Sequence, residues 1–329
     1  MRQRIIIPIR GYEDLVEIPL CYEEFDRLMN ELPLFNNNSE LIKQLDENAD
    51  HRLALKTIKF KFYQGEDIPF IKRSARKYPR LITNYIYYFL IIDLTYHDEI
   101  HYSSTFYANV YMSRLALLIT LSYATPVVFL RGLVIENEKL IGETDFVQNS
   151  LDFVYRHSHD INWPSFESPG LQKTLDWMIK YSIHLYSSSN GLASRALNAY
   201  SQIFNSDMFE KDTAHLFWCM LGIEALYAQG SNGVSEQIRQ KIRLVLGEPT
   251  EFKKKLSKLY GYRSRLVHGD IDIPAKFSLD HQNFEKEYWD YNAFATSLLL
   301  ASLKLLITQE INCFIFDYQW ANTNNKVKK

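Results

Sequence analysis

From residue 171 onward the apolar residues recur every three or four positions, and polar breaks cut the pattern into helices. Helices are predicted over 171–186, over 192–204 after the break Ser187-Ser188-Ser189-Asn190-Gly191, and over 213–228, 235–246, 251–268 and 284–314. The run 213–228 is apolar on nearly every side, so it belongs at the centre of a bundle, with Glu224 as its interior charge paired to Arg263 or Arg243. The first half of the chain has a different rhythm. Residues 1–20 alternate short apolar runs with Pro8, Gly11 and Pro19, which predicts a small hairpin or a pair of edge strands. A helix over 23–32 ends at Pro33, and Ser39 is placed to cap a second. Leu53, Leu55, Ile58, Phe60 and Phe62 alternate with polar neighbours as an internal strand does. The uncharged stretch 115–130 is shorter than the roughly 20 residues a membrane crossing needs. Pro126 interrupts it, so it predicts a buried helix followed by a strand over 127–135, turned back at 136–139 into Leu140 and Ile141. The polar stretch 157–170, with Pro164 and Pro169, marks a boundary. The chain is therefore mainly α, with an α+β domain over 1–160 and a helical bundle over 161–329.

One residue breaks the helical pattern in an informative way. Phe252, Leu256, Leu259 and Tyr260 form a stripe whose continuation lands on Arg263 before reaching Leu266 and Val267. An arginine on a buried stripe costs several kcal/mol unless it is paired or faces water and a ligand. His268 follows five residues later, and Gly269 after it is the residue expected just past a helix end. A fixed cation beside the side chain that most readily exchanges a proton near neutral pH is equipment for general acid–base work on a phosphate.

Charge sharpens this picture locally rather than globally. The 329 residues carry 37 Lys and Arg against 39 Asp and Glu, so no chain-wide field attracts nucleic acid. Between residues 236 and 268, however, nine cations face three anions. A phosphate backbone is expected to lie along Arg239, Arg243, Lys253, Lys254, Lys255, Lys258 and Arg265. Tyr260 and Tyr262 are close enough in sequence to stack a base. Cys21, Cys219 and Cys313 are too scattered for a disulfide framework or a zinc site. The first apolar run is too short for an export signal, and a cytoplasmic protein without a membrane anchor is expected.

Competing motifs are weaker. His97 and His101 stand four apart with Asp98 and Glu99 between them, a near miss for a zinc-hydrolase helix, at the end of an apolar segment read as a finishing helix. His157 and His159 read as part of the polar linker. The cations Lys72, Arg73, Arg76, Lys77 and Arg80, ahead of Tyr85, Tyr87, Tyr88 and Phe89, read as a solvated helix face and a secondary contact surface.

The sequence Tyr-Gly-Tyr-Arg-Ser-Arg-Leu-Val-His-Gly over Tyr260–Gly269, between a basic helix and a long apolar one, resembles the ApeA-like branch of the HEPN superfamily over roughly residues 170–315. The resemblance implies a helical bundle whose Arg-x4-His motif, Arg263 and His268, serves a metal-independent endoribonuclease, with a composite site at a homodimer interface and no cofactor. Ser264 stands where active members often carry Asn, Asp or His, and Glu224 matches the glutamate of the preceding helix. The implied setting is antiphage defence or a toxin-like growth arrest, with the first domain positioning or restraining the bundle or sensing a trigger. Two other classes stand against this reading: a catalytically silent module for dimerisation or for RNA or nucleotide binding, and a metallohydrolase at His97 and His101.

Overall fold

The computed structural model describes residues 2–11, 19–46, 53–62, 88–96, 104–129, 132–137, 139–144, 151–204, 214–228, 233–248, 253–273 and 282–316. The first unit is built on an antiparallel sheet. Its strands are β1 (Arg2–Gly11), β2 (Leu53–Phe62), β3 (Tyr88–Tyr96), β4 (Val127–Phe129), β5 (Gly132–Glu136) and β6 (Lys139–Thr144), in the order β2-β3-β1-β5-β6 with β4 also on β1. β1 is therefore central, which corrects the hairpin or edge-strand reading of residues 1–20. The unbroken run Ile5-Ile6-Ile7 is the signature of a strand covered on both faces. Ile5, Ile7 and Ile9 enter the main core, while Ile6 stays buried on the opposite face in register with Ile91. Pro8 lies where the neighbour on one side changes from β5, paired through Ile6, to β4, paired from Ile9. The segment Tyr88–Tyr96, read as the end of a helix, is the strand β3, in which Phe89, Leu90, Ile91, Ile92 and Leu94 are all buried. Its β-branched and aromatic residues fit a pleated surface covered on both sides.

The helices of this unit are α1 (Pro19–Glu31), α2 (Ser39–Leu45) and α3 (Ser104–Ser122). α2 is capped by Asn38 rather than Ser39. The Asn38 side-chain oxygen accepts from the amides of Glu40 and Leu41, at 3.0 and 2.9 Å, and the residue is extended as an N-cap must be. The predicted hairpin after residue 136 is present as β5 and β6.

Among the described residues seven further helices follow: α4 (Asp152–Asp160), α5 (Leu171–Lys180), α6 (Leu192–Phe204), α7 (Ala214–Tyr227), α8 (Val234–Leu246), α9 (Lys253–His268) and α10 (Gln282–Thr308). His157 and His159 thus lie on a helix, not in a linker. α5 ends six residues before the expected stop, because Ser182 turns left-handed at φ 51° and the Ile183 amide closes back onto the Met178 carbonyl at 2.8 Å. α10 contains Lys286–Thr308, long and apolar enough to cross a membrane, but 89% of its apolar window is buried inside the protein, where it packs against α4, α6 and α7.

The apolar core runs without a break across the expected division at residue 160. Polar ties reinforce that seam. The Gly170 amide donates to the Ser122 carbonyl (2.9 Å), Ser122 Oγ to Thr174 Oγ1 (2.9 Å), and Arg27 Nη1 to the Ser168 carbonyl (3.1 Å). Lys304, fully buried near the C-terminal end of α10, donates from Nζ to the carbonyls of Tyr123 (2.8 Å) and Leu121 (3.4 Å) at the end of α3, and burial pulls its pKa down to about 7. Inside the bundle, His215 Nε2 lies 2.9 Å from Thr296 Oγ1, joining α7 to α10, and burial lowers its pKa to about 3.

Candidate active site

α9 sorts its residues by face. Leu256, Leu259, Tyr262 and Leu266 are buried, whereas Lys254, Lys258, Gly261, Arg265 and His268 are exposed along one outer stripe. The core stripe therefore passes through Tyr262, and Arg263 sits at its border with 24% of its side chain exposed. The helix stays regular through His268. Gly269 then takes φ 81°, and the Asp270 amide closes onto the Arg265 carbonyl at 2.8 Å, a stop that favours glycine at its left-handed position. Five residues along a continuous helix place Arg263 and His268 about 140° apart around its axis, so within one chain the two do not converge.

Arg263 faces α7. Glu224 Oε1 lies 3.8 Å from Arg263 Nη2, the pairing expected from sequence, and accepts a closer hydrogen bond from the Tyr260 hydroxyl at 2.7 Å. Burial, and then the Glu224 carboxylate, raise the Tyr260 pKa, so the phenol remains a donor. Arg263 Nε has no hydrogen-bond partner among the described residues. The guanidinium is thus attracted by a carboxylate but not saturated by it. Ser264 is half-buried on the same helix. α7 itself is less enclosed than its composition predicts. Phe217 and Leu221, four apart, remain 42% and 36% exposed on the face that continues to Glu224, and Val267 beyond Arg263 is 50% exposed.

The cations expected to meet a phosphate backbone divide into two groups. Lys254, Lys258 and Arg265 are exposed. Lys255 is turned inward. Its Nζ donates to Asp290 Oδ1 (2.6 Å) and to His157 Nε2 (3.2 Å) and lies over the Phe294 ring, and burial followed by this ammonium lowers the His157 pKa to about 4. Lys241, counted in the same basic stretch, is also buried and caps the end of α7 through the Tyr227 carbonyl at 2.9 Å. Arg239 is engaged by Glu236 and by Ser257 Oγ (3.0 Å), and Arg243 is half-buried. The side chain of Lys253 lies outside the described residues.

Tyr262, expected to stack a base, instead stacks on Tyr291 with ring centroids 4.4 Å apart and is buried. Tyr260 is half-buried with its hydroxyl engaged. Among the expected aromatics, sequence spacing alone could not separate those that fill the core from those that face out.

Comparison with known proteins places no relative beside this chain: no family model, curated protein or solved structure matches it. The site therefore has to be read from its own geometry. His97 and His101, and the basic run 72–80, lie outside the described residues. Among the described residues no three His, Cys, Asp or Glu side chains gather as metal ligands would.

Proposed function

We propose that the chain is a metal-independent endoribonuclease of the HEPN kind, acting in the cytoplasm as a homodimer, in antiphage defence or growth arrest. The observation that carries this reading is the state of Arg263, a half-buried guanidinium with an unspent Nε–H and a carboxylate held off at 3.8 Å, near the end of a helix whose outer face presents His268 and three cations. Arg239 also leaves its Nε without a partner, but its guanidinium is closed on Glu236, whereas Arg263 has its carboxylate at 3.8 Å and keeps that end open as well.

The chemistry follows from the groups present. His268, exposed at the helix end, takes the proton from a ribose 2′-hydroxyl or returns one to the leaving 5′-oxygen. Arg263 stabilises the charge that builds on the phosphorane, and its donors are placed before the reaction starts. Glu224 and Ser264 hold the arginine's surroundings, while Lys254, Lys258 and Arg265 carry the RNA backbone along the outer stripe. A two-fold axis against the exposed Phe217, Leu221 and Val267 sets the His268 of one copy beside the Arg263 of the other, which supplies the convergence one chain lacks. The N-terminal unit restrains or triggers the bundle through the shared seam. The 140° separation also favours a second reading, in which the same helices form a silent dimerisation or RNA-binding module.

Incubation of the purified protein with cellular RNA, with and without EDTA and beside His268→Ala, separates the two. The nuclease yields 2′,3′-cyclic phosphate and 5′-hydroxyl ends at a rate EDTA leaves unchanged, and RNA carrying 2′-O-methyl groups at the cut resists. Equal inertness of wild type and variant selects the silent module, and loss of a real activity in EDTA rejects the mechanism.

A further inference from the structure

Arginine–carboxylate pairs among the described residues differ in how tightly they close. Arg4 grips Asp93 with two hydrogen bonds at 2.6 and 3.0 Å, and Arg27 reaches Glu31 at 2.8 Å. Arg263 and Glu224 stand 3.8 Å apart, although they are less exposed than the Arg4–Asp93 pair on the arginine side and would gain most from closing. What differs is a third group. The Tyr260 hydroxyl donates to Glu224 Oε1 at 2.7 Å, and that is the oxygen facing Arg263. Tyr260 and Arg263 are three residues apart on α9, so both project towards α7 with the carboxylate between them.

We propose that Tyr260 is a positioning residue that holds the Glu224 carboxylate back from Arg263, so that the guanidinium stays aimed and keeps donors free for a phosphate. The proposal rests on the reading of Arg263 and His268 as the catalytic pair. The neutral phenol occupies a lone pair of Oε1 without cancelling its charge. Glu224 then orients Arg263 through space but does not close the two-pronged pair that would consume its N–H groups. This gives Tyr260 a duty other than stacking a base, which its engaged hydroxyl and half-buried ring serve poorly.

The test is Tyr260→Phe, which keeps the ring and removes the hydroxyl. Glu224 is then free to close on Arg263, so kcat falls by about 10- to 100-fold, the range seen when an outer-shell partner of a reactive group is lost. KM for RNA is unchanged, and the melting temperature is equal to or above that of the wild type. Tyr260→Phe combined with Glu224→Gln recovers part of kcat, because a neutral amide does not clamp a guanidinium. In protein labelled with 15N-arginine, the Arg263 Nε–Hε signal, assigned by its loss in Arg263→Lys, shifts in Tyr260→Phe and stays in place in the control Tyr262→Phe. An unchanged kcat in Tyr260→Phe overturns the proposal, as does a raised KM at constant kcat, which would mark a base contact. If the wild type itself cleaves no RNA, the nuclease reading falls and the Arg263 signal alone decides this one. Unmoved by Tyr260→Phe, it rejects the restraint; moved, it upholds it.

Discussion

The two ends of α9 treat their charges in opposite ways. At the start of the helix Lys255 is enclosed by Asp290, His157 and the Phe294 ring, and its ammonium reaches the first two at 2.6 and 3.2 Å. At the other end Arg263 faces a carboxylate it does not reach and His268 stands in the open. In sequence both ends are basic, with Lys255 in the run Lys253-Lys254-Lys255 and Arg263 in Arg-Ser-Arg, and nothing there tells the closed end from the open one. Their difference is one of completion: a satisfied cluster fixes where the helix sits, whereas an unsatisfied one keeps its hydrogen-bonding capacity for something that arrives later.

The strongest way to break that contrast is to remove the open end. His268→Ala and Arg263→Ala are each expected to lower RNA cleavage by at least about 10³-fold, within the span lost when an acid–base group or a charge-stabilising donor is deleted. His268→Ala should keep its melting temperature because the residue is exposed at a helix terminus. Arg263→Ala should lose some stability as Glu224 loses its cation. Cleavage that survives either change would place Arg263 with Lys255, as structure rather than chemistry.

Acid should loosen the closed end. His157 and His215 have pKa values lowered to about 4 and about 3 from 6.5, so below pH 6.5 the unfolded chain binds protons that the folded one refuses. Their contribution is intact above pH 6.5. It is lost as the pH falls towards 4, at about 1.4 kcal/mol per pH unit for each histidine. Urea unfolding between pH 7.5 and 4.5 measures this slope, and replacing His157 by Gln should remove one histidine's share. A flat profile would mean that the cluster admits water freely.

The lysines give the third comparison. Lys255→Met should cost roughly 1–3 kcal/mol, by leaving Asp290 and His157 without their donor, and change RNA affinity little. Lys254→Gln and Lys258→Gln should leave stability within about 0.5 kcal/mol and weaken binding uniformly, each reducing the salt slope by about one. If Lys255→Met matches the outer pair in its salt slope, the inward ammonium reaches RNA after all. The smallest effect belongs to Gly261, an exposed helical glycine with open space where a Cβ would stand. Gly261→Ala should raise stability by about 0.5–1 kcal/mol without touching cleavage. A loss of activity there would show that something packs directly on the helix.

Much of the fold could be read from periodicity, and most of the site's environment could not. The helix 192–204 and the stop at Gly269 were fixed by local signals, an apolar repeat and a left-handed glycine. β1 is legible as strand but not as the centre of the sheet, because its pairing is long-range, and β3 reads as helix because a short apolar run buried on both faces carries no period to identify it. Arg263 and Glu224 were visible as charges in apolar stripes. The role of Tyr260 was not, since its partner lies 36 residues away and the contact exists only once α7 and α9 pack. Lys255 and Tyr262 failed for the same reason: a shift of one position around a helix decides between core and surface, and their inward partners, Asp290 and Tyr291, meet them only once α10 folds back on α9.

The amine of Lys304 has a practical consequence. It lies on the last described helix, yet both of its acceptors belong to the end of α3, some 180 residues earlier in the chain. A bundle excised at the polar stretch would carry that side chain into its interior with nothing to receive it, next to the apolar surface that α3 had covered. Each half is therefore a poor candidate for separate expression, while the two supplied together from one plasmid should find each other. Recovery of a soluble two-piece complex, against aggregation of either piece alone, would show that the halves recognise each other without a covalent link and would give a split system whose assembly can be controlled from outside.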